Sequence, residues 1–275
     1  MVEFGEVISS HTIKKWTLLK NYLEKYTLIM SNKFWNRFFY IDAFAGKGKY
    51  DNYDGSPIIA LNIKYPFTDY VFIEINLEYI RELKANIEKL SPRKAEICRT
   101  YPLNSEKEVD IQISYKNTNV NSYLQEHLSD IVPEGIPCFI FLDPEGIIGL
   151  DRKTLEVCSK KHRVELLINF PIYGVIRNVD ILLPQNEELI TNLYGSEKWK
   201  EIRMKIDRRE ERLAELYIEG LKEFFKYLPY TIITNERNTP IYYLIFATNN
   251  YTGFKIMNGA MQFGQRKITS FFKKR

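Results

Sequence analysis

Short, dense apolar runs alternate along this chain with longer stretches whose apolar residues recur at helical spacing. Phe38-Phe39-Tyr40-Ile41, Tyr70-Val71-Phe72-Ile73, Cys138-Phe139-Ile140-Phe141-Leu142 and Val164-Glu165-Leu166-Leu167-Ile168 read as strands buried on both faces, which suits a parallel sheet. Ile13, Trp16, Leu19, Leu23 and Tyr26 predict an amphipathic helix over residues 10 to 30. Ser56 reads as an N-cap and Pro57 as the first position of a helix through Ile58-Ile59-Ala60-Leu61. Leu77 to Leu90 predicts the next helix, Val109 to Ile113 alternates like an exposed strand, and Tyr123, Leu124 and Leu128 mark another helix. Residues 172 to 228 are polar and helical, mix Arg and Lys with Glu, and contain Trp199 and the run Lys205-Ile206-Asp207-Arg208-Arg209-Glu210-Glu211-Arg212. Two or more helices are expected there, forming either a lid that contacts substrate or a salt-bridged solvent face. Tyr230 to Thr234 and Ile241 to Phe246 flank a polar turn with Pro240 and predict a closing hairpin, one strand antiparallel to the rest. A last helix is expected over Thr252 to Met261. Strands alternating with helices predict an α/β fold: a Rossmann-like, doubly wound, seven-stranded and mostly parallel sheet, with a helical insertion before the last hairpin. The expected division is one domain over 1–262 and a tail over 263–275.

Chemistry concentrates at the ends of the apolar runs. The first run ends in Asp42 and continues Ala43-Phe44-Ala45-Gly46-Lys47-Gly48. Strand, glycine loop and helix make a nucleotide or nucleoside cradle, where glycines let the backbone approach a ligand. The spacing is not G-x-G-x-x-G, and an acid at the strand end suits a cationic ligand better than a pyrophosphate. S-adenosylmethionine, with a sulfonium and an ammonium, fits that demand; an ordinary strand-to-helix turn explains the glycines equally well. The second run ends in Glu74, where Rossmann-type sheets bind ribose hydroxyls. A glutamate opening the following helix would also favour its dipole. Asn119, after the third strand, is placed to meet the adenine or to cap a helix. The fourth strand ends in Asp143-Pro144-Glu145-Gly146, in the crevice where open α/β sheets hold ligands. His11 and Lys14, at the start of the first helix, either reach over the sheet toward a ligand or form a solvated helix end.

Composition narrows the classes. The chain has 275 residues and a net charge of +4. Arg266, Lys267, Lys273, Lys274 and Arg275 carry five positive charges with no acid between residues 264 and 275, and removing them leaves −1 for the rest. Cys98, Cys138 and Cys158 lie far apart, and His11, His127 and His162 lack ligand spacing, so no metal site is expected. No apolar run reaches membrane-spanning length and no signal-peptide pattern opens the chain, which together predict an intracellular protein.

The landmarks resemble the class I S-adenosylmethionine-dependent methyltransferases, which have seven strands, a glycine loop after the first, an acid after the second and an antiparallel seventh. More closely, the chain resembles the three-Cys-motif partner family (TcmP). The matching pieces are His11-x-x-Lys14, Tyr40-Ile41-Asp42-x-Phe44-Ala45-Gly46-x-Gly48, Gly55-Ser56-Pro57, Phe141-Leu142-Asp143-Pro144-x-Gly146, Glu165-Leu166-Leu167-Ile168-Asn169-Phe170 and Tyr243-Leu244-Ile245-Phe246-Ala247-Thr248. The resemblance implies a methyltransferase fold with Asp42, Ala43, Phe44, Gly46, Gly48, Glu74, Asn119 and Lys14 around S-adenosylmethionine. Asp143-Pro144 is also similar to the Asp/Asn-Pro-Pro-aromatic motif of enzymes that methylate amino groups of nucleic acids. There the acid and a proline-linked carbonyl accept hydrogen bonds from the target amine, and the aromatic stacks on the flipped base. Glu145 and Gly146 depart from that motif and leave the stacking ring missing; Phe170 or Tyr173 is expected to supply it, with Glu145 beside the substrate.

Gln265-Arg266-Lys267-Ile268-Thr269-Ser270-Phe271-Phe272 matches Q-x-x-[ILM]-x-x-F-F, the peptide that docks on the sliding clamp PCNA. Ile268, Phe271 and Phe272 fall at i, i+3, i+4, so one short turn projects them as a plug while Gln265 reaches a separate polar pocket. PCNA occurs in archaea and eukaryotes, which points to DNA as substrate and to the cytoplasm or nucleoid of an archaeon or the nucleus of a eukaryote. The leading expectation is a DNA methyltransferase acting on adenine N6, else cytosine N4, with Asp143 and Pro144 orienting the amine. An RNA methyltransferase of the same fold and a non-catalytic clamp-binding adaptor are the alternatives.

Overall fold

The central strands of the main sheet are covered on both faces, and strand alternation sorts the side chains into two chemically different layers. The computed structural model describes residues 8–33, 35–90, 111–181, 183–204 and 207–272, with side chains through residue 262. The strands are β1 (Phe39–Asp42), β2 (Lys49–Tyr50), β3 (Tyr53–Asp54), β4 (Asp69–Glu74), β5 (Gln112–Asn117), β6 (Cys138–Leu142), β7 (Val164–Phe170), β8 (Tyr230–Thr234) and β9 (Pro240–Thr248). The helices are α1 (Ser10–Asn32), α2 (Ser56–Leu61), α3 (Leu77–Glu88), α4 (Val120–Ile131), α5 (Arg152–Ser159), α6 (Ile172–Asp180), α7 (Pro184–Tyr194), α8 (Trp199–Arg203), α9 (Arg209–Leu221) and α10 (Tyr251–Phe272).

Seven strands form one sheet in the order β5-β4-β1-β6-β7-β9-β8. Strand β9 runs antiparallel to both of its neighbours, and the other strands run parallel to one another. This is the Rossmann-like, mostly parallel sheet with one antiparallel strand that the sequence leads one to expect. The pair β2–β3 forms a separate small ribbon after the glycine loop.

One face is aliphatic. Ile41, Val71, Ile140, Leu142, Leu166, Ile168 and Ile245 pack there with α4, α5 and the helices α6 to α9, whose Trp199, Leu213 and Tyr217 are buried in the same cluster. The other face is aromatic. Tyr40, Tyr70, Phe72, Phe139, Phe141 and Phe246 meet Tyr22 and Tyr26 of α1, with Met257 of α10 in the same cluster. Rings there stand at offset or tilted geometries, such as Tyr40 on Phe139 at 6.1 Å and Tyr22 on Phe246 at 5.0 Å. The segment 172–228 is therefore a layer of the sandwich on the face opposite α1, rather than a lid over that face.

Three sequence expectations shift in detail. The third strand begins at Gln112 rather than Val109, and 109–110 lie outside the described residues. Gly55, not Ser56, occupies the N-cap of α2; Ser56 is the first helical residue and is buried. Helix α10 runs through Phe272, across the expected boundary at 262.

A buried acid anchors α1 to the aromatic face. The Tyr22 hydroxyl donates to Glu165 Oε2, and the Thr248 hydroxyl lies 3.4 Å from Oε1. Burial pushes the Glu165 carboxyl up to about 7 against the pull of those donors. A raised carboxyl contributes stability that is complete below its unfolded value and is lost as pH rises through about 7. Glu165→Gln should therefore gain on the wild type by on the order of 2 kcal/mol between pH 5 and pH 8. Urea unfolding of both proteins at the two pH values checks this; a pH-independent gap would refute it.

Candidate active site

Side chains alternate along a strand, so parity assigns each polar residue near the strand ends to a face. Asp42 shares parity with Tyr40, Asp143 with Phe139 and Phe141, Asn169 with Leu167, and Tyr242 with Leu244 and Phe246. All four belong to the aromatic face beneath α1. They also share one edge: the carboxyl ends of β1, β6 and β7, and the start of antiparallel β9, where Phe170 pairs with Tyr243.

Asp143 is the centre of this group. Lys15 Nζ lies 2.7 Å from its Oδ1 and 2.6 Å from its Oδ2, and Asn169 Nδ2 donates to Oδ1 at 2.7 Å. The side chains of Lys15 and Asp143 are 8% and 15% exposed. Lys14, the lysine expected here, is exposed instead. Helix geometry decides between the two: Lys15 lies on the buried stripe with Leu19, Tyr22, Leu23 and Tyr26, and Lys14 lies off it. A lysine on an apolar helical stripe was the available signal. The Lys15 ammonium also lies 5.4 Å from the centre of the Tyr242 ring, and the His11 ring is 5.6 Å from the same ring. Asn169 and Tyr242 likewise join the site without having been singled out from the sequence.

Asp42 is fully buried beside it. The Tyr40 hydroxyl donates to Oδ2 at 2.9 Å, while Oδ1 has no partner among the described residues. Burial pushes the Asp42 carboxyl up to about 7, the Ser56 and Tyr40 hydroxyls oppose this, and the charge of Asp143 adds to it. The Asn169 Oδ1 is a second buried acceptor without a partner among the described residues. Buried acceptors left unsatisfied are uncommon and mark a place for a donor.

The glycine loop has reasons of its own. Gly46 and Gly48 take left-handed φ values of 58° and 74°. A methyl group at Gly48 would run into Leu83 of α3, and one at Gly46 into the Tyr50 hydroxyl. Gly46 N–H donates to Glu74 Oε2 at 3.0 Å, and Asn76 N–H to Oε1 at 2.8 Å. Each Glu74 oxygen therefore keeps one acceptor position. Ala43 is buried, its N–H bonded to Phe141 O at 2.9 Å, and Phe44 packs against the aliphatic cluster. The exposed Asn119 caps α4, its side chain accepting from Asn121 and Ser122 N–H.

The expected substrate residues part company. Pro144 is buried and Glu145 is exposed. Tyr173 is exposed in the first turn of α6. Phe170 is not available as a stacking ring: it is fully buried on the aliphatic face, stacked 4.1 Å from Tyr217. The side chains of Gln265, Ile268, Phe271 and Phe272 lie outside the described residues. A surface hollow of about 990 Å3 between α9 and β8 holds Arg212, Glu219 and Lys222 but none of the expected site residues.

No protein-family model matches the sequence, and no curated protein does. Among solved structures, the chain is similar to protein LPL1258 from Legionella pneumophila str. Philadelphia 1, of family DUF519, at 11% identity, with 89% of each chain covered and a TM-score of 0.53. An O-methyltransferase from Bacillus cereus in complex with SAH matches at 11% identity over 88% of this chain and 93% of the other, with a TM-score of 0.43. A spermidine synthase in complex with the transition-state analogue AdoDATO matches at 9% identity over 90% and 64%, with a TM-score of 0.46. The first of these likenesses shows a shared fold.

The ion pair makes its own prediction. Breaking a buried pair strands a charge, whereas replacing both partners by apolar groups does not. Lys15→Met should destabilise by about 3 kcal/mol, and Lys15→Met with Asp143→Leu by clearly less than the two single losses combined. Urea unfolding of the two single variants and the double variant measures the coupling, and additive losses would contradict the pairing.

Proposed function

We propose that the chain is an S-adenosylmethionine-dependent methyltransferase of the TcmP type that acts on an exocyclic amino group of DNA, at adenine N6 or else cytosine N4. The observation that carries this reading is Asp143: an acid at the carboxyl edge of β6, held rigidly by Lys15 and Asn169, with one acceptor position left. A carboxylate offers about four such positions. Lys15 takes one on each oxygen and Asn169 a second on Oδ1, which leaves one on Oδ2.

The residues present fit the cofactor. Asp42, with its unpartnered Oδ1, suits a cationic group; Glu74, with a position spare on each oxygen, suits a ribose diol. Gly46, Gly48 and the Ala43-Phe44 backbone would flank them, with Asn119 beyond β5. When bound, S-adenosylmethionine supplies an electrophilic methyl group on a sulfonium; its transfer makes an N–CH3 bond, leaves a thioether and releases one proton from nitrogen. Asp143 Oδ2 accepts one amino hydrogen and the Pro144 carbonyl the other, which holds the nitrogen lone pair toward the methyl group. Lys15 and Asn169 fix the rotamer of Asp143. The main catalytic contribution is positioning, since the methyl donor needs no strong base.

Delivery to DNA rests on the tail, where Gln265, Ile268, Phe271 and Phe272 are the clamp-binding residues of this reading and PCNA is the partner. Such a protein works in the cytoplasm or nucleoid of an archaeon or the nucleus of a eukaryote.

The test is incubation with methyl-labelled S-adenosylmethionine and, separately, duplex DNA, single-stranded DNA and RNA, followed by digestion to nucleosides. Label in N6-methyladenine or N4-methylcytosine from DNA is expected; label from RNA alone would move the substrate to RNA, and no label anywhere would leave a clamp-binding adaptor. Asp143→Ala should lower transfer by at least about 100-fold while the variant still binds S-adenosylmethionine, and full activity in that variant would overturn the assignment. Phe271→Ala with Phe272→Ala should abolish binding to immobilised PCNA without changing transfer to free DNA.

A further inference from the structure

Asp143-Pro144 is followed by Glu145 and Gly146, so the motif that holds the amine carries no ring to hold the base. We propose that Tyr242, on β9, supplies the stacking surface for the target base from across the sheet. This deepens the methyltransferase reading and rests on it.

Parity carries the argument. A base whose amino group bonds Asp143 lies on the aromatic face, beneath the first turns of α1. Phe170 points to the opposite face and is already stacked on Tyr217. Tyr173 stands on α6, a helix of that opposite face, and is 53% exposed. Tyr242 alone among these three shares the face of Asp143, at the same edge of the sheet, and it is only half-buried. Its ring lies 5.4 Å from the Lys15 ammonium, which is itself bonded to Asp143. Burial, and after it the charge of Asp143, raises the Tyr242 hydroxyl above its ordinary value, in keeping with that proximity. The His11 imidazole lies against the ring at 57°, in the first turn of α1 and partly exposed. In the proposed complex the base replaces the imidazole against the tyrosine ring. Lys15 then borders both the acid that orients the amine and the ring that carries the base.

Stacking of a base on an aromatic side chain is sequence-tolerant and is lost when the ring is lost. The test uses methyl-labelled S-adenosylmethionine with mixed-sequence single-stranded DNA, and in parallel mixed-sequence RNA, on the full chain. Tyr242→Leu should raise the KM for the nucleic acid about 10-fold or more, with calorimetric affinity for the cofactor unchanged. Tyr242→Phe, which keeps the ring, should stay within about 3-fold of the wild type, and Tyr173→Leu should do the same. A 2-aminopurine placed at the methylated position should be quenched by the wild type and by Tyr242→Phe, and not by Tyr242→Leu. An unchanged KM in Tyr242→Leu, or a loss carried by Tyr173→Leu instead, overturns the proposal while the methyltransferase reading stands. Absence of transfer by the wild type to either nucleic acid overturns both.

Discussion

A carboxylate at the end of a buried strand has to be neutralised, and here the neutralising charge comes from another layer. Lys15 reaches from α1 to both oxygens of Asp143. Leaving either ion buried and alone would cost several kcal/mol, so the pair ties the start of α1 to the carboxyl edge of the sheet. His11 and Lys15 consequently meet Tyr242, and α1 closes one side of the space around Asp143. The same helix is fastened lower down, where Tyr22 donates to the buried Glu165. Two acids on the aromatic face thus set where α1 lies, one in the core and one at the site.

The division of the sheet into an aliphatic and an aromatic face has a chemical consequence. The aliphatic face is filled by Trp199, Leu213, Tyr217 and their neighbours, and Ala43, Leu142 and Phe170 stand there at the ends of β1, β6 and β7. The aromatic face ends in Asp42, Asp143, Asn169 and Tyr242. Polar groups on one side of the edge and apolar packing on the other make the edge one-sided, so a ligand and an acceptor both approach from the α1 side. The acid pair sharpens this. Burial, with the charge of Asp143 adding to it, raises the Asp42 carboxyl to about 7, poised to ionise when a cation arrives.

Much of this was legible in the sequence, and the boundaries of what was not are instructive. Continuous apolar runs locate β1, β4, β6 and β7, because strands buried on both faces cannot be mistaken for anything polar. Their terminal acids, Asp42, Glu74 and Asp143, follow directly. The third strand was misplaced because Gln112 to Asn117 is only half-buried at the edge of the sheet, so its pattern is weak. Ser56 reads as a cap because the residues of a helix start carry that signal, but Gly55 takes that position and Ser56 is buried one residue on. The motif spacing picks out Lys14 and leaves Lys15 unmentioned, although Lys15 lies on the apolar stripe through Leu19 and Tyr22. Phe170 was plausible as a stacking ring until strand parity put it on the wrong face. Tyr242 was invisible, since its role depends on β9 lying antiparallel beside β7, a contact between residues far apart in the chain. The 172–228 helices read as a charged surface because their buried residues, Trp199 among them, are spaced within polar sequence.

The central claim is that the acids of the α1 face bind a cationic cofactor, and proton linkage tests it most directly. Titration calorimetry of S-adenosylmethionine at pH 7, in two buffers of different ionisation enthalpy, reads the protons exchanged on binding. Binding a cation beside an acid whose carboxyl is raised to about 7 should release protons, and Asp42→Asn should remove that release. Failure of the wild type to bind S-adenosylmethionine, or binding with no dependence on buffer, would contradict the account.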